Sequence, residues 1–470
     1  MSLSIENNNF RIYNTQKFIE SLLQNQLSIN NLYVWIGRTL PWSNDSSPDI
    51  PQDTVSSRIE TYDTLLAIKK VSPSDIVAVI PNHIWTPGII YTEYYDLGEI
   101  GSDGIYHDIF DPSITGTPFY VITDQNNVYK CLGNNNGTAS TIQPTGTGTT
   151  TFKTSDGYIW KFMFQVSIED IQQFLIAPSN GNPGWIPVRN INYNDGSLQW
   201  LVQTTAIPGS INNIQVLNGG NSYVPIASNI DYGDQGGIFI NGDGSGLVIS
   251  INVSPIGGHI TGFNILNPGQ NYTWAQIDVN WLGASGATFH VIISPPGGHG
   301  SNPLYELGAM YAMINLQFNY DENGKVSTDT SYRSYGLLLN PTIFGSNNYF
   351  TGLVGSGTTN LTVSGVTSAF TPGEFIVGTI SLASAYVVDY NNVTNVLRVI
   401  PFYFSGENVG VQNGGTFVIG DQFEGQNGTI TNIIFPDIQL QSGLILTTEN
   451  MTPIFRAPTQ SENISIVLPF

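Results

Sequence analysis

Between Ile211 and Gly300 the chain repeats itself, and this repeat limits its possible folds more than any other feature. INNIQVLNGGNSYV, starting at Ile211, returns as ITGFNILNPGQNYT, starting at Ile260, 49 positions later. Apolar residues alternate with polar ones in each copy (Ile214 and Val216; Phe263 and Ile265). The pattern breaks at Asn-Gly-Gly or Asn-Pro-Gly and resumes at a tyrosine, which predicts strand, tight turn, strand. GDGSGLVISINV from Gly242 is answered by GASGATFHVIIS from Gly283, and SPIGGH from Ser254 by SPPGGH from Ser294, 40 positions later. The first copy is therefore about nine residues longer, and the surplus is placed near the glycine-rich Asp231 to Gly237. A unit of this period cannot cover its own apolar face, so the copies must stack on each other as a β module.

The whole chain has 470 residues, too many for one ordinary core, and two to four domains are expected. Only 10% of residues are charged, while 11% are aromatic and 50 are glycine. A surface this poor in Lys and Glu suits a subunit whose faces are largely covered by neighbours. The net charge of −21 argues against nucleic acid and anionic membranes as partners, because phosphate recognition needs a basic footprint. Its simplest role is solubility. The single cysteine, Cys131, excludes an internal disulfide framework and a multi-cysteine zinc site. MSLSIENNNF has no signal-peptide pattern and no apolar run is long enough to span a bilayer, so the chain reads as a soluble protein made in a cytoplasm.

Read in order, Asn14 to Gln26 predicts a short amphipathic helix with Phe18, Ile19, Leu22 and Leu23 on one face. Leu32 to Gly37 (LYVWIG) is an apolar strand, followed by a proline-punctuated loop. A second helix is expected from an Asp53 cap to about Lys70, with Ile59, Tyr62, Leu65 and Leu66 at helical spacing, then a strand over Ile76 to Ile80. Short strands follow at Pro118 to Asp124, Asn127 to Leu132 and Asp156 to Val166, and Ser167 with Asp170 makes a capping box. Beyond the repeats, DENG at Asp321 to Gly324 predicts a hairpin turn. Phe344 to about Pro436 is a further glycine-punctuated β block, with a short echo between GEFIVG at Gly373 and GDQFEG at Gly420. The final ISIVLPF reads as a buried strand.

No catalytic constellation emerges. The five histidines (His83, His107, His259, His290, His299) form no metal-spaced pair, and the equivalence of His259 and His299 after Gly-Gly points to a repeated turn role. No GxSxG elbow is present, and GTGTT lacks the lysine and helix of a phosphate loop. Cys131 inside a strand reads as a small buried hydrophobe. Asp243 in NGDGSG looks like a fragment of a calcium-binding β-roll, but a single copy reads as a turn. No cofactor or metal is expected. Tyr223, Tyr272, Trp274 and Trp281 either form a carbohydrate platform or belong to the repeat core, and repeat-equivalent tyrosines favour the core.

YVWIGRTLPWSNDSSPDIPQD, DIVAVIPNHIW from Asp75, VYKCL, DGYIWKFMF and the tail ENMTPIFR…SENISIVLPF together resemble the baseplate wedge subunits of the gene-product-eight type in T4-like contractile-tailed bacteriophages. The ordered set spans about 190 N-terminal residues and the last 30. The resemblance implies an α+β, predominantly β fold: an α/β N-terminal region with β-sandwich or barrel domains, into which the tandem repeats are inserted. It further implies a homodimer, contacts with other wedge subunits, and a place in the virion's tail baseplate after assembly in the host cytoplasm. The expected divisions are a host region over 1–205, the repeat block over 206–300, a return to the host fold over 301–343, a second β block over 344–436, and a C-terminal segment over 437–470 that packs with the host region and brings the chain ends together. Arg38 and Trp42 in the first resembling segment, with Trp85 and Trp160 in later ones, are the candidate interface anchors, since Trp and Arg dominate hot spots. Alternatively Arg38 pairs with Asp45 or Asp49 to pin its own loop. Two other function classes stay open, a receptor- or glycan-binding tail protein and a polysaccharide-degrading virion enzyme.

Overall fold

The computed structural model describes residues 7–23, 30–96, 99–100, 106–107, 109–110, 118–223, 238–279, 284–401, 416–423, 425 and 427–470. The fold is predominantly β, with several separate sheets and a few short helices. Two compact units divide it: one holds 1–16, 77–312 and 469–470, the other 17–76 and 313–468. The region 1–205, expected as a single host domain, is thus shared between the units.

The second unit is built on Leu32–Gly37, the middle strand of a five-stranded antiparallel sheet. Its neighbours are Leu65–Lys70 on one side and Thr330–Leu339 on the other; Val354–Ser356 and Leu444–Arg456 form the edges. LYVWIG is apolar throughout because both faces of the strand are covered. Leu32, Val34 and Ile36 enter one core with Leu66, Ile314, Phe318 and Leu337, while Tyr33 and Trp35 enter another with Leu65, Ile68, Leu338 and Ile438. Burying each such aliphatic side chain contributes roughly 1.5–3 kcal/mol. The same double burial overrules the expected long second helix. That helix runs only over Val55–Asp63, capped by Thr54 rather than Asp53, and Leu65–Lys70 is a strand. Apolar residues at 65 and 66 fit either period, and the two cores decide for the strand.

Other differences in this unit have similar causes. The first helix, Asn8–Leu23, begins six residues earlier than expected, and Phe18, Ile19 and Leu22 pack on the core. The DENG turn exists, with Glu322 and Asn323 at positive φ, but it makes no hairpin: Tyr311–Phe318 lies beside Glu462–Pro469, while Thr330–Leu339 belongs to the five-stranded sheet. Glu462–Pro469 buries alternate residues, Ile464 and Ile466 inward and Ser465 outward, rather than being covered on both faces. The second β block forms its own five-stranded sheet around Leu361, Val387, Leu397, Val399 and Phe423.

In the first unit, Tyr120–Ile122, Asn127–Gly133 and Ile159–Gln165 form an antiparallel sheet with Phe152–Lys153 at its edge. Its core is aromatic: Tyr91, Tyr129, Tyr158, Trp160 and Phe162, with Cys131 buried among them. Burial pushes the Cys131 thiol well up, as suits an inert packing residue. Ser167 caps Ile168–Gln173 through Asp170 N at 3.1 Å, as expected. At the end of the chain, Phe470 N donates to Met310 O at 3.0 Å, and the Arg11 guanidinium donates to Phe470 O.

Among the described residues the repeat block contains six strands, three per copy, and each pairs with a strand of the other copy. Ile211–Asn221 pairs with Ser285–Ile293, Ile238–Gly242 with Ala275–Val279, and Ser245–Val253 with Ile260–Gln270. One core serves both, with Phe263 and Phe289 edge to face at 4.9 Å. Bulges replace the turns expected at Asn-Gly-Gly and Asn-Pro-Gly: each first strand continues through eleven residues, with a register shift and a glycine at positive φ, Gly220 or Gly269. Glycine here brings the strands close. A Cβ on Gly220 would lie 2.6 Å from Ala287 N, and one on Gly269 2.8 Å from Leu247 N. Asn218 and Asn267 hold the two glycines through side-chain oxygens that accept from their N–H groups at 2.9 and 3.0 Å. Just past each of these strands, Ser222 and Asn271 take positive φ. The surplus residues of the first copy and Trp281 lie outside the described residues.

Candidate protein-protein interface

The Arg38 corner grows out of the middle strand of the five-stranded sheet. Between Ile36 and Gly37 the register with the neighbouring strand shifts, Arg38 then takes φ 56°, and its N–H donates to Thr64 O at 2.9 Å. This turns the guanidinium onto the Trp42 ring, 3.7 Å from the ring centre, and its Nη1 pairs with Glu60. Neither Asp45 nor Asp49 is the partner of Arg38. Asp45 instead takes a two-pronged ion pair from Arg333, at 2.9 and 2.8 Å, and accepts from Trp42 N at 2.8 Å. The Arg333 hydrogen bonds hold the Asp45 carboxyl down at about 2. Arg333 also donates to Thr39 O at 2.6 Å, so one arginine from the next strand pins both ends of the loop. Trp42 Nε1 donates to Met451 O at 3.2 Å, and Asn450 Nδ2 to Asp49 O at 2.8 Å, tying the loop to the edge strand Leu444–Arg456.

These elements enclose a cleft of about 1030 Å³ between the 47–53 loop, the Val55–Asp63 helix and the edge strand. Arg38 and Trp42 line it, together with Ile50, Arg58 and Leu446. Ile50 is 80% exposed and Leu446 41%, and Leu444 at the start of the strand is 53% exposed. Large apolar side chains beside a stacked Arg–Trp pair and a sheet edge are the ingredients of a protein-recognition surface.

The other anchors lie in the first unit. Trp85 is half-buried against the aromatic core, its Nε1 donating to Ser140 Oγ at 3.2 Å. Trp160 is wholly buried, stacked on Tyr158 at 5.5 Å, so it offers no surface to a partner; an apolar strand with both faces covered hides its tryptophan. Tyr223 and Tyr272 are core residues, so among the described members of the platform considered from sequence only Trp274, 53% exposed, faces outward. Asp243 serves a turn: its carboxylate accepts from Thr273 Oγ1, from Thr273 N at 2.8 Å and from Trp274 N at 3.2 Å, which holds its pKa at about 2.

His259 and His299 are not structural equivalents. Ser222 N and Tyr223 N donate to Gly257 O and Gly258 O, as Asn271 N and Tyr272 N donate to Pro208 O and Gly209 O. The counterpart of His259 is therefore Ser210, and IPGSI from Ile207 answers to IGGHI from Ile256. His259 contacts Gly220 O within its turn, whereas His299 leaves the repeat and is buried. His290 pairs with Asp96 at 3.0 Å. Sequence reasoning missed Arg333, Glu60 and Leu446. A signal existed for Arg333: it is one of only 14 basic residues and stands in an otherwise uncharged strand.

No protein-family profile matches the chain. Among characterised proteins it is similar to the baseplate wedge protein gp8 of Enterobacteria phage T4, with 25% identity over 160 residues, which is 29% of this chain and 48% of that protein. The match thus spans about half the length of that relative, and the similarity is distant and partial.

Proposed function

We propose that this chain is a structural subunit of a phage tail baseplate wedge: a homodimer that works by association with other wedge proteins and performs no catalysis. The observation that carries this reading is the partial similarity to a baseplate wedge protein. The Arg38–Trp42 cleft supplies the docking surface the role requires, with its exposed Ile50 and Leu446 beside an edge strand. A charged fraction of 10% favours the same reading, since such a surface suits burial against neighbours in an assembly. The subunit is assembled in the host cytoplasm and finishes in the baseplate of a contractile tail.

Immunogold labelling of intact virions tests the location, using separate sera against residues 206–300 and against the N-terminal region. Gold at the baseplate is the expected result; gold along fibres or at their tips sinks the proposal in favour of a receptor-binding protein. Sedimentation equilibrium at micromolar concentration tests the dimer, and a stable monomer there refutes it.

A further inference from the structure

Behind the repeat block, the described residues of the first unit bury more positive than negative charge. Lys130 is 0% exposed, Lys161 4%, Glu306 4% and His299 4%. Lys130 and Glu306 neutralise one another: Nζ lies 2.5 Å from Oε2, and Gly300 N and Asn302 N also donate to the carboxylate at 2.8–3.1 Å. Among the described residues Lys161 has no carboxylate within ion-pair distance, feeling Glu306 only at longer range, and its one hydrogen-bond acceptor is Thr149 O. An ammonium carries three donors, so its capacity is not used up. His299 stands edge to face with Tyr94 at 5.0 Å, and its buried Nδ1 has no partner among the described residues. Burial, then the two lysine charges, push the imidazole well below its ordinary value, so it is neutral and adds no charge to the cluster. Among the described residues the sum is one uncompensated buried cation. Burial without a partner is costly, and the arrangement persists where a charge of opposite sign is accepted from outside.

Lys161 and His299 open onto a cleft of about 580 Å³, in the size range of small-molecule sites. Gly300 lets the lysine reach it, because a Cβ there would stand 3.0 Å from Lys161 Cε and 2.6 Å from Val202 Cγ1. The rest of the wall mixes hydroxyls and amides, including Thr150, Ser210 and Asn264, with aliphatic side chains such as Ile159 and Leu266, the ring of Phe263 and a second, exposed cation, Lys153. The fixed cation selects an anionic head group, the polar atoms match a ring of hydroxyls, and the phenyl face matches the C–H side of a sugar.

We infer that this cleft binds a small polyhydroxylated carboxylate, a sugar acid of hexuronate size, with its carboxylate on Lys161. The site is separate from the Arg38 cleft and does not depend on the wedge role. Isothermal titration of the full chain with glucuronate, glucose and acetate tests it. Glucuronate binds, while glucose, lacking the charge, and acetate, lacking the hydroxyls, each bind at least about tenfold more weakly, the factor for one charge-assisted hydrogen bond. Lys161→Met reduces glucuronate affinity by about the same factor, and exposed Thr150→Val by less. Should Lys161→Met not fold, the unaltered chain gives a second measurement. Burial lowers the Lys161 amine to about 8, so glucuronate affinity falls between pH 7 and 9.5 as the proton is lost. The proposal is overturned if glucuronate fails to bind, if acetate or glucose binds as tightly, or if affinity is indifferent both to Lys161→Met and to pH.

Discussion

Replacing Glu306 by Gln removes the counter-ion of Lys130 while keeping the shape of the side chain and an oxygen for Gly300 N and Asn302 N. Lys130 then faces the Tyr94 ring, 4.3 Å from its centre, with its desolvation unrelieved. Burial already pulls the Lys130 amine below its ordinary value, against the upward pull of Glu306. Breaking a buried pair by removing one partner costs about 3–5 kcal/mol. At about 2–4 °C per kcal/mol for a unit of this size, the melting temperature falls by roughly 6–20 °C at pH 7. The sign of the pH dependence follows from linkage. A lysine whose folded pKa is lowered binds fewer protons folded than unfolded, so stability rises with pH between the two pKa values. The deficit of Glu306→Gln therefore shrinks from pH 7 to pH 10, and Lys130→Met combined with Glu306→Gln recovers part of it at pH 7. Tryptophan fluorescence reports the transition, since Trp160 sits in the core of the same unit. A fall of less than about 2 °C at pH 7, or a deficit that does not shrink at pH 10, refutes the assignment of Lys130–Glu306 as a charged buried pair.

Burial holds the His83 imidazole at about 4, below its ordinary 6.5, so the unfolded chain takes up the proton first and stability is lost as pH falls from 6.5 to about 4. His83→Gln flattens part of this loss in urea titrations at pH 7 and 5, with His299 accounting for a further part in the same direction. Gly269→Ala puts a Cβ against the Leu247 backbone at φ +64° and destabilises the repeat block by about 1–3 kcal/mol, measured as faster amide exchange at Leu247. Trp42→Ala weakens dimerisation or wedge assembly by about 2 kcal/mol, roughly 30-fold in Kd, if the Arg38 cleft is the docking surface. An unchanged sedimentation profile alongside an unchanged circular dichroism spectrum would reject that surface.

Much of the fold was legible in the sequence because period and burial agree there. LYVWIG, VYKCL and DGYIWKFMF are apolar enough for strands with covered faces, and Ser167 capped the helix it announced, though the Asp170 carboxylate pairs with Arg189 instead of closing the box. Misreadings fall where one local pattern serves two ends. Leu65 and Leu66 suit a helix face and a buried strand equally, and only the cores on both sides choose. Asn-Gly-Gly marks either a turn or a close approach of strands, and the partner strand that decides lies about 65 residues away at Ala287. The candidate site was half legible. Arg38 and Trp42 were visible as a pair, but Glu60 and Arg333 are brought in by tertiary folding, and no spacing announces them. The lysine–histidine cluster was hidden for the same reason: Lys130, Lys161 and the His299–Glu306 segment come from three separate stretches, and His299 was masked by its likeness to His259.

The exchange of strands between the two repeat copies has a consequence for how such a block arises and fails. Because none of the six strands among the described residues finds its partner in its own copy, a chain carrying one copy has these three strands to offer and none of their partners. It would complete its core only by meeting the same copy in another molecule. The fused pair is thus an internalised dimer, with a linker standing in for the concentration that two separate chains would need. Deleting either copy leaves the survivor able to fold only by joining subunits together, which turns a building module into a cross-link.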